Sequence, residues 1–266
     1  LAEGKSVLVR TTMENNFCLT GAQLEAAITP RTRLLVLCTP NNPTGSVYSH
    51  EALVEIVRVL EKHPEISVIS DEIYEHILYT GHHESLGQFA SLKDRVVIIN
   101  GVSKSHAMTG YRIGWLACHD QGFISAVKRL QGQQCTCATT IAQKAAEAAY
   151  TGDRSCVETM RQAFERRRDL IVRLAREIDG LKVLEPQGAF YLFPDVSSFF
   201  GKSHNGFTVH NANEVVEYLL NEAHVACVSG SAFGEDNCIR LSYATSEDMI
   251  VEAMRRIKEA LGNLTI

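Results

Sequence analysis

"VVIINGVSKSHAMTGYRIG", residues 96 to 114, begins as an uninterrupted apolar run and stops at a glycine. Continuous β-branched residues, without apolar/polar alternation, are the pattern of a strand in a mainly parallel sheet, buried on both faces. Lys104 follows the end of that run directly, and Arg112 comes eight residues later. A lysine there is either a solvated loop charge or an amine held at the mouth of a site. Ligands of open parallel sheets bind beyond the carboxyl ends of the strands, so the other strand ends are the places to look.

Leu34 to Cys38 and Val68 to Ser70 are similar runs, and Ser6 to Arg10 and Ile113 to Cys118 also read as strands. Between them, Thr20 to Ile28 reads as a helix capped by Thr20. Ser49 to Glu61 is amphipathic, with Leu53, Ile56, Val57 and Leu60 on one face. Alternating strands and helices predict an α/β unit. Asn42 follows the second strand in a Pro/Gly turn, Asp71-Glu72-Ile73-Tyr74 follows the third, and Ser103-Lys104 the fourth. Singly, each has a plain reading: an Asn-Pro turn, a helix cap at Asp71, a core Tyr74. Together, at successive strand ends, they exceed what loops need and predict one crevice.

From about Ser155 the pattern changes. Val157 to Glu177 reads as a long charged helix, and Ala212 to Ala223 and Ser246 to Leu261 as two more. Val183, Phe190 to Phe193, Val225 to Val228 and Cys238 to Leu241 read as short strands, and Gly201 to Gly206 as a polar loop. The expected division is a large domain over 1–160 and a small α+β domain over 161–266. Arg240 is flanked by Ile239 and Leu241 in a buried-looking strand, so an exposed charge is a weak reading for it.

The chain has 266 residues, 45% of them hydrophobic, and a net charge of -5, which gives no support for a nucleic-acid surface. Arg166-Arg167-Arg168 reads as a solvated helix face. No run approaches the ~18 apolar residues of a membrane span. The eight cysteines form no CxxC pair, and reduced, mostly buried thiols in a cytosolic protein are predicted. His82 and His83 are adjacent and cannot easily face one ion, so a surface loop is expected there rather than a metal site. GxGxxG, Walker and G-x-S-x-G motifs are absent from the sequence.

"NNPTG", "SDEIYEHI", "GVSKSHAMTGYRIG", "GAFYLF" and "CIRLSYA", in this order, resemble the class I aminotransferases, and within them the bacterial and plant aspartate and prephenate enzymes. The likeness runs from about Gly4 to about Leu261. It implies fold type I of the pyridoxal-phosphate-dependent transferases, with a large domain incomplete at its N-terminus and a small α+β domain. It also implies residue roles. Lys104 forms the imine with the cofactor and shuttles the proton between Cα and C4′. Asp71 faces the pyridine nitrogen. Tyr74 and Asn42 hydrogen-bond the phenolate oxygen. Arg112 clamps the phosphate, with Ser103 as a further contact. Arg240 pairs with the substrate α-carboxylate. Gly188 to Tyr191 and Gly230 to Gly234 match the family's segment near the substrate and its loop ahead of the arginine strand; a core strand explains the first equally well, and a plain turn explains the second better than direct contact does.

Two positions depart from the pattern: Gly101 stands where a hydroxyl residue is common, and Gln134 to Ala138 replaces a Thr-Ser-Asn-like loop. The segment the family places before Leu1, with its phosphate cup and ring-stacking aromatic, is expected to belong to a longer protein, and the piece alone to be weakly active. The activity implied is transfer of the amino group of L-aspartate to 2-oxoglutarate by a cytoplasmic homodimer. The alternatives are an aromatic, alanine or prephenate aminotransferase, a carbon-sulfur lyase of the same fold, or the aminotransferase-like part of a transcription regulator.

Overall fold

Helices begin where side chains cap them in the computed structural model, which describes residues 3 to 266. Thr20 and Gln23 form a reciprocal capping box, Gln23 N to Thr20 Oγ1 at 3.2 Å and Thr20 N to Gln23 Oε1 at 3.0 Å, and start α1 (Gly21–Ala27). Ser49 caps α2 (His50–Glu61), which buries Leu53, Ile56, Val57 and Leu60, the face its spacing predicts. Two units result: Cys18–Asn41 with Val47–Arg161, and the residues up to Phe17 with Asn42–Ser46 and Gln162–Ile266.

The first unit carries the sheet. β1 (Leu34–Cys38), β2 (Ser67–Asp71) and β3 (Val96–Gly101) are parallel neighbours, and β4 (Gly114–Ala117) is antiparallel to β3. Cys38 pairs with Asp71 and Asp71 with Ile99, so the carboxyl ends of β1 and β2 are level and β3 runs two residues further. At the far end of β3, Gly101 faces Gly114, and a Cβ on Gly101 would lie 3.0 Å from Gly114 Cα. That crossing explains why no hydroxyl residue stands there. α3 (Gln121–Gln134) and α4 (Thr140–Thr151) follow; the sequence reading named neither, and α3 has no buried residue to give it a strong apolar stripe. α5 (Ser155–Arg176) carries the chain onward.

The second unit is α+β. β5 (Tyr191–Leu192), β9 (Ile239–Ser242) and β8 (Val228–Ser229) form an antiparallel sheet in that order, beside the hairpin β6 (Ser203–His204) and β7 (Phe207–Thr208) and the helices α6 (Ala212–Ala223) and α7 (Glu247–Gly262). Tyr218, Tyr243, Leu192, Leu219 and Ile239 are fully buried there.

Several expectations are corrected. Ser6 to Arg10 forms no strand, and Val7 and Leu8 are exposed. Burial on both faces fails for β1, where Leu34 is 50% and Val36 62% exposed. A continuous apolar run says that both faces are apolar, not that both are covered. The polar loop at 201–206 holds a hairpin, with Asn205 and Gly206 both at positive φ as a tight Asn-Gly turn requires. Val183 is no strand; the pairing nearby is one bridge, Lys182 to Asp195. β8 starts only at Val228, after His224 ends α6 in the left-handed region. Arg168 is buried, donating to Pro186 O at 3.2 Å, so the solvated-face reading fails for it, while Arg166 is exposed as expected. All eight cysteines are free thiols, but only Cys238 is buried. Burial nonetheless pushes the Cys18 thiol up to about 11 and Cys227 up to about 12, which leaves both protonated and unreactive. Among the described residues no helix is long and apolar enough to cross a membrane.

Candidate active site

At the carboxyl ends of β2 and β3, three of the sequence-selected side chains come together. Asp71 is the last residue of β2, and its Oδ1 accepts a hydrogen bond from Ile73 N at 3.2 Å. That bond turns the chain so that Tyr74 is buried, 3% exposed. Lys104, three residues past β3, places Nζ 5.8 Å from the centroid of the Tyr74 ring. Burial raises the Asp71 pKa above the ordinary carboxylate value, opposed by the Ile73 N–H; the Glu72 charge adds to the rise and Lys104 works against it. The amine and the carboxylate therefore feel each other directly.

Glu72, the next residue, is buried and closed off by three donors: Ser70 Oγ at 2.8 Å, Ser85 Oγ at 2.7 Å and His83 Nε2 at 2.9 Å. His83 is thus part of a buried network, contrary to the surface loop expected for it, whereas His82 pairs with Glu84 and is 84% exposed. Glu75 brings an oxygen within 4.8 Å of the Glu72 and His83 ligand atoms. Glu72 is satisfied by these hydrogen bonds, while the buried Nδ1 of His83 has no hydrogen-bond partner.

Ser103 is half-buried beside Lys104. Arg112 sits at φ 53 with its side chain exposed, and its Nη1 donates to Thr109 O of its own loop at 3.0 Å. The structure therefore groups Asp71, Tyr74 and Lys104, and places Arg112 on its own loop.

The other two residues meet in the α+β unit. Arg240, in β9, donates from Nη1 to Asn42 Oδ1 at 2.8 Å, although 198 residues separate them. The turn that carries Asn42 is tied down locally. Gly45 has φ +68, and a Cβ there would lie 2.4 Å from Pro186 Cβ. Gly45 O accepts from Gln187 N and Gly188 N, both at 2.9 Å. Arg240 Cζ lies 4.6 Å from the Tyr191 ring centroid and 5.0 Å from that of Phe233. Negative ring faces stabilise a guanidinium, and its planar fork matches a carboxylate edge. The sequence reading left Tyr191 open between a segment near the substrate and a core strand, and favoured a plain turn for Phe233.

Comparisons with known proteins show the family and the fold. The family described as "Aminotransferase class I and II" matches residues 1–257. The chain is 45% identical to a bifunctional aspartate aminotransferase and glutamate/aspartate-prephenate aminotransferase from Petunia hybrida, over 98% of this chain and 55% of that protein. The crystal structure of an aspartate aminotransferase from Rhizobium meliloti superposes with a TM-score of 0.95 at 41% identity, over 99% of this chain and 66% of that one. An aromatic aminotransferase from Pyrococcus horikoshii superposes with a TM-score of 0.89 at 36% identity, over 96% of this chain and 67% of that one. The chain thus spans about half the length of the plant relatives it matches.

Proposed function

We propose, for a chain that belongs to the class I and II aminotransferases, that the protein containing it moves the amino group of L-aspartate to 2-oxoglutarate. The family depends on pyridoxal phosphate. The residues here fit that cofactor: an amine for its aldehyde in Lys104, and for its ring nitrogen a half-buried carboxylate in Asp71 whose neighbour Glu72 adds further negative charge. When bound, the cofactor supplies an electron sink and carries the amino group between the two substrates.

Lys104 Nζ would hold the cofactor through its aldehyde and, as a free amine, would move the proton at the substrate Cα. Asp71 holds a proton at the ring nitrogen. The Tyr74 hydroxyl and the Asn42 amide donate to the ring oxygen. Ser103 and Arg112 hold the phosphate, which requires the Arg112 guanidinium to leave its own loop carbonyl. Arg240 receives the substrate α-carboxylate through two parallel N–H donors.

We further assign residues 1–160 to the cofactor domain and 161–266 to the small domain, and place the protein as a homodimer in the cytoplasm. Exposed apolar side chains in the sheet unit, Leu34, Val36, Leu130 and Ile141, supply surface for a partner subunit.

One observation carries the reading: Lys104, Asp71 and Tyr74 converge at the ends of adjacent parallel strands. Borohydride reduction of the protein with pyridoxal phosphate, followed by peptide mapping, should leave a pyridoxyl mass on Lys104. An adduct elsewhere, or none on the intact protein, overturns the assignment. The likeness to an aromatic aminotransferase supports a second reading. Product analysis with L-aspartate and L-phenylalanine as rival donors to 2-oxoglutarate decides between them.

A further inference from the structure

The turn before β9 is built more tightly than a connector needs. Gly230 N donates to Cys238 O at 2.7 Å, and Glu235 N to Gly230 O at 3.0 Å. A Cβ on Gly230 would lie 2.1 Å from Glu235 O and 2.5 Å from Cys238 O, so glycine alone fits. Arg10 grips Glu235 with two arms, Nε to Oε2 at 3.1 Å and Nη2 to Oε1 at 2.8 Å. A residue outside the sheet, from the far end of the chain, thereby pins the turn.

What the turn carries is Phe233. Its ring is 36% exposed, too open to serve as an ordinary core residue. One contact anchors it, an edge-on meeting with Phe193 at 6.2 Å between centroids. Phe193 belongs to a buried cluster with Phe17 and Cys238. The other contact is the Arg240 guanidinium at 5.0 Å.

We propose that Phe233, together with Tyr191, is a positioning residue for Arg240: the two rings set the plane of the guanidinium so that it presents its fork edge-on to a planar carboxylate. The inference rests on the carboxylate reading of Arg240 above. Asn42 holds one nitrogen of the guanidinium, and a group held at one point can still tilt. Ring faces attract the cation and resist that tilt. A guanidinium already oriented loses less freedom when the substrate arrives. The contribution is the same in the ground and transition states, so it belongs in KM and in ligand affinity rather than in kcat.

The test uses the intact protein loaded with pyridoxal phosphate. Binding of a dicarboxylate without an amino group is measured by calorimetry for wild type, Phe233→Leu, Phe233→Tyr and Arg240→Ala, alongside KM, kcat, cofactor affinity and Tm. Phe233→Leu should weaken dicarboxylate binding and raise the amino-acid KM roughly two- to fivefold, with kcat and cofactor affinity nearly constant; Phe233→Tyr should restore both. Unchanged binding in Phe233→Leu, with binding lost in Arg240→Ala, overturns the positioning role while leaving the carboxylate reading intact. Unchanged binding in Arg240→Ala sinks the carboxylate reading and the positioning role with it. A fall in Tm and cofactor affinity that Phe233→Tyr does not repair assigns Phe233 a structural role and also overturns the proposal.

Discussion

The two strand-end clusters are assembled in opposite ways. Asp71, Tyr74 and Lys104 lie at or just past the carboxyl ends of two neighbouring parallel strands, so strand pairing brings them together. Asn42, Tyr191, Phe233 and Arg240 come from four separate stretches, one of them nearly 200 residues from the others' strand, and each is held by a local device. The first cluster is a consequence of topology. The second is a consequence of packing, and small backbone changes should damage it selectively.

The largest effect should come from Lys104→Ala. Transamination by the intact protein should fall at least about a thousandfold, the upper part of the range for losing a positioned proton-transfer group, and the pyridoxyl mass should vanish from peptide maps. Retained activity would mean that the register-built cluster is not the chemical centre. Arg240→Lys keeps the charge but loses the planar fork, and kcat/KM should drop roughly a hundredfold. A change of only a few-fold would show that charge suffices and that the packing-built cluster contributes little geometry.

Gly45→Ala probes how that cluster is held. A side chain at φ +68 must also enter space occupied by Pro186. The variant should lose about 1–3 kcal/mol by chemical denaturation, with a rise in amino-acid KM and little change in cofactor affinity. An equal loss of cofactor affinity would show that the two clusters do not fail separately.

Asp71→Asn should give the smallest stability change and the opposite sign. Burial raises the folded-state pKa of Asp71. A raised carboxyl contributes stability below its unfolded pKa and loses it as pH climbs through the folded value. At neutral pH the cofactor-free variant should therefore melt at or slightly above wild type, while pyridoxal phosphate binding weakens. A lower Tm at pH 7 that recovers at pH 4 would contradict the sign.

How much of this was legible varied with distance along the chain. Thr20 and Ser49 as caps, the buried face of α2 and the parallel runs of β1 to β3 are local matters of spacing and capping, and the sequence carried them. The hairpin at Asn205-Gly206 was equally local and went unread, because its strands are two residues each. Arg168 illustrates the other limit: one arginine in a run of three is buried only because Pro186 O lies where its guanidinium can reach. No pattern around residue 168 records that.

The sequence by itself determined α1, α2 and the run of β1 to β3, the family and the amine that follows β3, since periodicity, caps and motif spacing are written in adjacent residues. Only the tertiary structure decided that Ser6 to Arg10 joins no sheet, that His83 bonds to the buried Glu72, and that Phe233 faces Arg240. Each of those depends on which distant group arrives alongside, and contact between residues far apart in the chain is settled by packing rather than by local preference.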